Sequence, residues 1–134
     1  MKKHRFIVSA KHSHIHDFFD LIDVYAKDFS GERRKEIKLV FEEVFVNIVD
    51  YAYRRDERCS VYVSFTKKKN TLGILFADKG VYFNPLLKED PDTENITEPG
   101  GFGVFLIKKL SDECRYRRLL GRNVLTVIFQ KNIR

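Results

Sequence analysis

The chain is poor in cysteine, with only Cys59 and Cys114 among its 134 residues. Two cysteines make no disulfide framework, and their spacing matches no metal-binding motif. No apolar run approaches the roughly 18 residues that cross a bilayer. The start of the chain, Met1 to Val8, lacks the apolar stretch of a secretory signal. The reading at this stage is a cytoplasmic protein with no membrane partner. Proline is scarce as well: Pro85, Pro91 and Pro99 all fall within residues 84–99, marking that polar, acidic stretch as a loop. No internal repeat and no linker interrupt the rest, so residues 1–134 read as one domain.

What is present is an ordinary globular composition with a basic balance. Apolar residues make up 43%, and the formal charge is +6 from 25 Lys and Arg against 19 Asp and Glu. Basic residues are scattered, with short clusters at Lys67–Lys69 and Arg115–Arg118. No DNA- or RNA-binding motif accompanies them, so nucleic acid is not the expected partner. Such a surface also attracts an acidic protein or a nucleotide.

Hydrophobic periodicity orders the elements. Residues 5–9 read as a strand. From Ser13, a candidate N-cap, Ile15, Phe18, Phe19, Ile22, Tyr25, Ala26 and Phe29 form a helical stripe. Ser30-Gly31 breaks it, and a longer helix follows through Ile37, Val40, Phe41, Val44 and Ile48, expected to end near Arg54-Arg55. Residues 60–66 alternate as a half-buried strand, Lys69-Asn70 suits a hairpin turn, and Leu72 to Ala77 suits a central strand. After the loop, Gly100-Gly101-Phe102-Gly103 opens a helix, and strands near 114–120 and 123–130 end the chain. The order β α α β β loop α β β predicts an α+β fold. It is a two-layer α/β sandwich whose mixed, mostly antiparallel sheet carries its helices on one face.

Three clusters suit chemistry. Glu43 and Asn47, four apart on a helix, project about 40° from one another beside the apolar face. A carboxylate there suits a general base, and an amide oxygen suits Mg2+ when phosphates complete its shell. Asp78-Lys79-Gly80 follows a buried strand: a carboxylate accepts from a purine amino group, and Gly80 lets the backbone approach a ring. Gly100, Gly101 and Gly103 at a helix start suit phosphate binding, without the Lys-Ser/Thr of a P-loop. Each alone fits a surface helix, a turn or a hinge. Together, in this order, they make a nucleotide site. His12, His14 and His16 suggest a metal, but only His12 and His16 share a helix face; exposed histidines at a helix start are the commoner reading.

In these motifs the chain resembles the ATP-binding fold shared by gyrase, heat-shock chaperones, histidine kinases and mismatch-repair ATPases, the Bergerat fold. More narrowly it resembles the bacterial anti-sigma-factor serine kinases of the stress and sporulation type. Phe41 to Tyr53 is similar to that family's N box, Asp78-Lys79-Gly80 through Asn84-Pro85 to its first glycine box, and Gly100 to Ile107 to its second. Asp112-Glu113 and the closing Gly121 to Thr126 also fit. The resemblance implies a histidine-kinase-like ATP-binding domain that uses ATP and Mg2+. Asn47 would hold Mg2+ and Glu43 would be the catalytic base. Asp78 would bind adenine beside Gly80 and Asn84, with Thr126 assisting through a water. Gly100, Gly101 and Gly103 would contact phosphates under a lid of roughly residues 86–99. It implies phosphorylation of an anti-sigma antagonist on serine or threonine, binding of a sigma factor, and a possible homodimer. Relatives often carry an arginine shortly before the second glycine box. Here no Lys or Arg follows Lys88 in the loop, which raises the alternative of a nucleotide-gated binding module without kinase activity.

Overall fold

The computed structural model describes residues 2–52, 60–87 and 101–131. Strand β1 (Lys2–Ser9) leads through a single tight turn at His12–His14 into helix α1 (Ile15–Tyr25). Helix α2 (Gly31–Asn47) follows and passes directly into a π-helical turn, Ile48–Ala52. Strands β2 (Ser60–Lys68) and β3 (Thr71–Asp78) form a hairpin. Helix α3 (Gly101–Leu110) precedes a second hairpin, β4 (Glu113–Leu119) and β5 (Arg122–Gln130).

The five strands lie in the order β1-β2-β3-β5-β4, and every neighbouring pair is antiparallel. The expected α+β two-layer sandwich is therefore present, but its sheet is wholly antiparallel, not mixed. The reason is topological. The chain returns to the sheet at the far edge as β4, and the tight β4–β5 hairpin folds β5 back between β4 and β3. The parallel strands β3 and β4 are never neighbours.

Two helix starts differ from expectation. Ser13 lies inside the His12–His14 turn and caps nothing; α1 begins at Ile15 without a side-chain cap. The Ser30-Gly31 break is itself a cap, for Ser30 Oγ accepts from Arg33 N at 3.0 Å. The regular part of α2 stops at Asn47, ahead of the expected Arg54-Arg55 end, which lies outside the described residues together with Cys59. Cys114 is half-buried on β4.

The core forms where the helical stripes meet the inner sheet face. Phe18 of α1 and Phe41 of α2 stand 4.9 Å apart, and Phe41 reaches Phe65 on β2 and Phe76 on β3 at 6.2 and 5.1 Å. From α3, Ile107 enters the same cluster. Aromatic pairs at these separations add to the burial of their large apolar area.

At the end of the sheet that holds the β2–β3 turn, a buried cation joins three elements. Arg33 is 1% exposed. It donates to Leu110 O at 2.7 Å, Gln130 O at 3.3 Å and Glu36 at 3.0 Å, and forms an ion pair with Asp112. Its guanidinium also lies over the Phe129 ring. This clamp fixes the C-terminal end of α3 against α2 and β5. Arg33→Ala is expected to cost about 3–5 kcal/mol, because it removes the buried cation that pairs with Asp112 and caps the Leu110 and Gln130 carbonyls. Urea unfolding of the two proteins checks it.

Candidate functional site

Beyond the far end of α2, the last residue of β3 faces the second residue of β5. Asp78 and Asn123 are direct cross-strand partners on the inner face, 4% and 5% exposed. Asp78 Oδ1 accepts from Gly80 N at 2.8 Å and from Asn123 Nδ2 at 3.0 Å. Asn123 Nδ2 also donates to Val81 O at 2.9 Å. Its Oδ1 accepts from the Tyr116 hydroxyl at 2.5 Å, Phe83 N at 3.2 Å and Arg118 Nη1 at 3.1 Å. One amide thus orients the aspartate and ties the chain after β3 to the sheet. Arg118 reinforces the tie by donating to Gly80 O at 2.8 Å. Burial pushes the Asp78 carboxyl above the ordinary range; the bonds from Asn123 and Gly80 and the Arg118 charge oppose that shift without cancelling it.

Asn47 comes to the same place from α2. It is 6% exposed, and its buried Nδ2 has no hydrogen-bond partner among the described residues. An unpaired buried polar group of this kind costs about 1–3 kcal/mol and calls for an explanation. The π-helical turn begins at the next residue, an irregularity that recurs at functional sites. Asn47, Asp78 and Asn123 line one cavity with Phe83, Pro85 and Tyr116. Its free volume is about 20 Å³, room for one water. Phe83 and Pro85, on the segment after β3, form one wall of the cavity.

One helical turn before Asn47, Glu43 meets the start of α3. A Cβ placed on Gly103 would stand 2.1 Å from Glu43 Oε2. Glycine at 103 is therefore what lets this carboxylate lie against the first turn of α3. Burial, with the neighbouring Glu42 charge second, raises the Glu43 pKa. Because the crowded atom ends a flexible side chain, Gly103→Ala is expected to fold, with a melting temperature within a few degrees of wild type. The Glu43 carboxylate must move, however, so any activity that depends on its position is expected to fall at least about tenfold. Thermal unfolding and a turnover assay on the same preparation check both halves.

The remaining candidate residues divide. The backbone of Gly101 opens α3; Gly100 and the lid residues 88–99 lie outside the described residues. Gly80 binds Asp78 as described. Asn84 spends its side-chain oxygen on Leu86 N at 3.0 Å, starting the short turn Pro85–Leu87. Thr126 is placed on the wrong side for the role expected of it. Strand alternation sends Asn123, Leu125, Val127 and Phe129 inward and Thr126 to the outer face, so Asn123 holds the place beside Asp78. Arg118 and Tyr116 were also missed. The alternation of β5 was the signal that could have found all three, through its pairing with β4. His12 Nε2 lies 3.1 Å from Asp50 Oδ1, and no cluster of three metal-ligating side chains occurs among the described residues. Among the described residues no helix is long and apolar enough to cross a membrane.

Comparison with known proteins agrees with this geometry. The family model described as histidine kinase-like ATPase domain matches residues 8–129. The serine-protein kinase RsbW of Oceanobacillus iheyensis is 30% identical over 102 residues, covering 69% of this chain and 63% of that protein. RsbW of Bacillus subtilis is 29% identical over 103 residues, covering 72% and 64%. The chain thus spans a little under two thirds of the length of these relatives. Two solved structures share the fold. The RsbU and RsbW domains of a Mycobacterium tuberculosis protein superpose with a TM-score of 0.67 at 12% identity, over 97% of this chain and 32% of that one. The histidine kinase domain of a blue-light activated kinase from Erythrobacter litoralis gives 0.56 at 18%, over 90% and 60%. With the family model matched from β1 to β5, the chain belongs to the histidine kinase-like ATPase domain family.

Proposed function

We propose that this chain binds ATP with Mg2+ in the cleft of Asn47 and Asp78 and passes the γ-phosphate to a serine or threonine of an antagonist protein, as an anti-sigma-factor kinase. One observation carries the reading: a buried Asn47 amide, its nitrogen without a partner among the described residues, shares a cavity with a buried aspartate, one turn from a carboxylate pressed against a glycine-opened helix. The buried amide suits Mg2+, since a half-turn about χ2 presents its oxygen in place of the nitrogen. When bound, Mg2+ neutralises phosphate charge.

The chain's own residues do the rest. Asp78 Oδ1 is committed to Gly80 and Asn123, which leaves Oδ2 to accept from the purine amino group. Backbone N–H groups at the start of α3 favour the phosphates. Glu43, its basicity raised by burial, takes the hydroxyl proton as the oxygen bonds to phosphorus and the bridging oxygen leaves with ADP. The similarity to RsbW serine-protein kinases supports this reaction class. The test is labelled ATP with Mg2+ and each antagonist-like protein of the source organism. Phosphoserine or phosphothreonine is expected on the antagonist; its absence refutes transfer.

A second reading rests on residues 89–100, which contain no Lys or Arg. A cation there would stabilise charge on the transferring group. Without it the chain acts as a nucleotide-gated binding module, in which ATP and partner alter each other's affinity reciprocally. Partner affinity unchanged by ATP refutes this version.

A further inference from the structure

The sheet face turned away from the helices carries a charge pattern that plays no part in the cleft. The strand register lays Arg5, Ser64, Leu75, Thr126 and Arg115 across it in one rung. Each adjoining rung adds one basic residue: Lys3 on the β1 bank, across from Glu113 on β4, and Arg117 on the β4 bank, across from Ile7 on β1. Between the banks Leu75, Val124 and Ile128 stand over a floor lowered at Gly73, with Tyr62 and Lys68 on β2 toward the two ends. Part of this lane is a shallow groove of about 250 Å³. Glu113 is the one acid on this face among the described residues, and it is paired with Arg115 at 2.6 Å. All three helices pack on the opposite face, through Phe18, Phe41 and Ile107.

The dimensions select an occupant. Four strand spacings separate the banks, about 19 Å. A helix about 10–12 Å across fits between them and reaches both with its flanking side chains. We propose that the outer sheet face docks an acidic amphipathic helix of a partner protein, its apolar stripe on Leu75, Val124 and Ile128 and its carboxylates on the two basic banks. The lane is about six strand residues or 20 Å long, so about 13 helical residues cover it. A second copy of this chain fits less well, because stacked faces oppose basic bank to basic bank. Nucleic acid fits less well too. Tyr62 is the one aromatic on this face among the described residues, so there is no row of rings for bases to stack on, and phosphates alone leave the apolar lane uncovered.

The experiment uses the full chain and a fluorescein-labelled helical peptide of about 14 residues, with leucines along one face and glutamates on both flanks. Controls are the same peptide with lysine for every glutamate, and a single-stranded DNA. Anisotropy is expected to show binding of the acidic peptide that weakens about tenfold between about 50 and 300 mM salt. Binding is expected to fall at least about tenfold in Leu75→Asp. A similar fall is expected in Arg115→Glu/Arg117→Glu, whose exposed sites leave folding intact by circular dichroism. Four results overturn the proposal: no binding of the acidic peptide, equal binding of the lysine peptide, DNA that binds more tightly and displaces the acidic peptide, or a dimer in sedimentation that Leu75→Asp splits.

Discussion

Replacing Asp78 by asparagine is expected to weaken ATP binding roughly 30- to 150-fold, the equivalent of leaving one buried polar pair unsatisfied. The substitution keeps the shape of the side chain. An asparagine oxygen still accepts from Gly80 N and Asn123 Nδ2, the two bonds that hold Oδ1 now. The second position becomes an NH2 donor, which meets the purine amino group donor to donor. Stability should move the other way. The folded Asp78 pKa lies above its ordinary value because burial disfavours the charge. A group raised on folding stabilises the fold below its unfolded pKa of about 3.9 and loses that contribution as pH rises through the folded value. At pH 7 the ionised aspartate is therefore a liability that asparagine removes. The variant is expected to melt at the same or a higher temperature than wild type at neutral pH, with the gap closing in acid. Calorimetric titration with ATP and Mg2+, beside melts across pH, tests both halves. Equal ATP affinity for the two proteins would contradict the placement of the adenine.

Replacing Glu43 by glutamine is expected to reduce phosphoryl transfer by about 10²- to 10⁴-fold, the usual worth of a positioned general base. ATP affinity should stay within a few-fold, since Glu43 is assigned to the hydroxyl proton and not to the nucleotide. The raised pKa of Glu43 comes from burial and from Glu42, so transfer should also fall as pH drops through that value and the carboxylate protonates. The glutamine variant, having no proton to gain there, should lack this acid limb. Single-turnover transfer to the antagonist across pH measures both effects.

Much of this architecture was legible in the residues. The stripe Ile15, Phe18, Ile22, Tyr25 can bury itself only as a helix, and the inward set Val61, Val63, Phe65 only as a strand. Asn47 and Asp78 could be singled out because one lies four residues from Glu43 beside the apolar face of a helix and the other ends a buried strand ahead of a glycine. What sequence could not reach depends on chain crossings. Arg33 reads as a surface residue of a charged helix start until the end of α3 and the end of β5 close over it. The direction of the sheet follows from β5 folding back inside β4, which no local pattern states. The substitution of Asn123 for Thr126 is a matter of period: one face of β5 is Asn123, Leu125, Val127, Phe129, and counting by two from Leu125 excludes Thr126. The cavity is lined by residues of α2, β3, β4, β5 and the segment after β3, a convergence that only the tertiary fold supplies.

The most direct measurement is the side-chain amide NMR spectrum of 15N-labelled protein titrated with ATP and Mg2+. The Asn47 side-chain NH2, buried and without a partner among the described residues, should move strongly once nucleotide and cation are both present. The Asn123 amide, bonded to Asp78, should move with nucleotide alone. If both stay fixed at saturation, while backbone amide shifts in the same 15N spectrum gather on outer-face residues such as Leu75 and Ile128, nucleotide binds elsewhere and the cleft is not an ATP site.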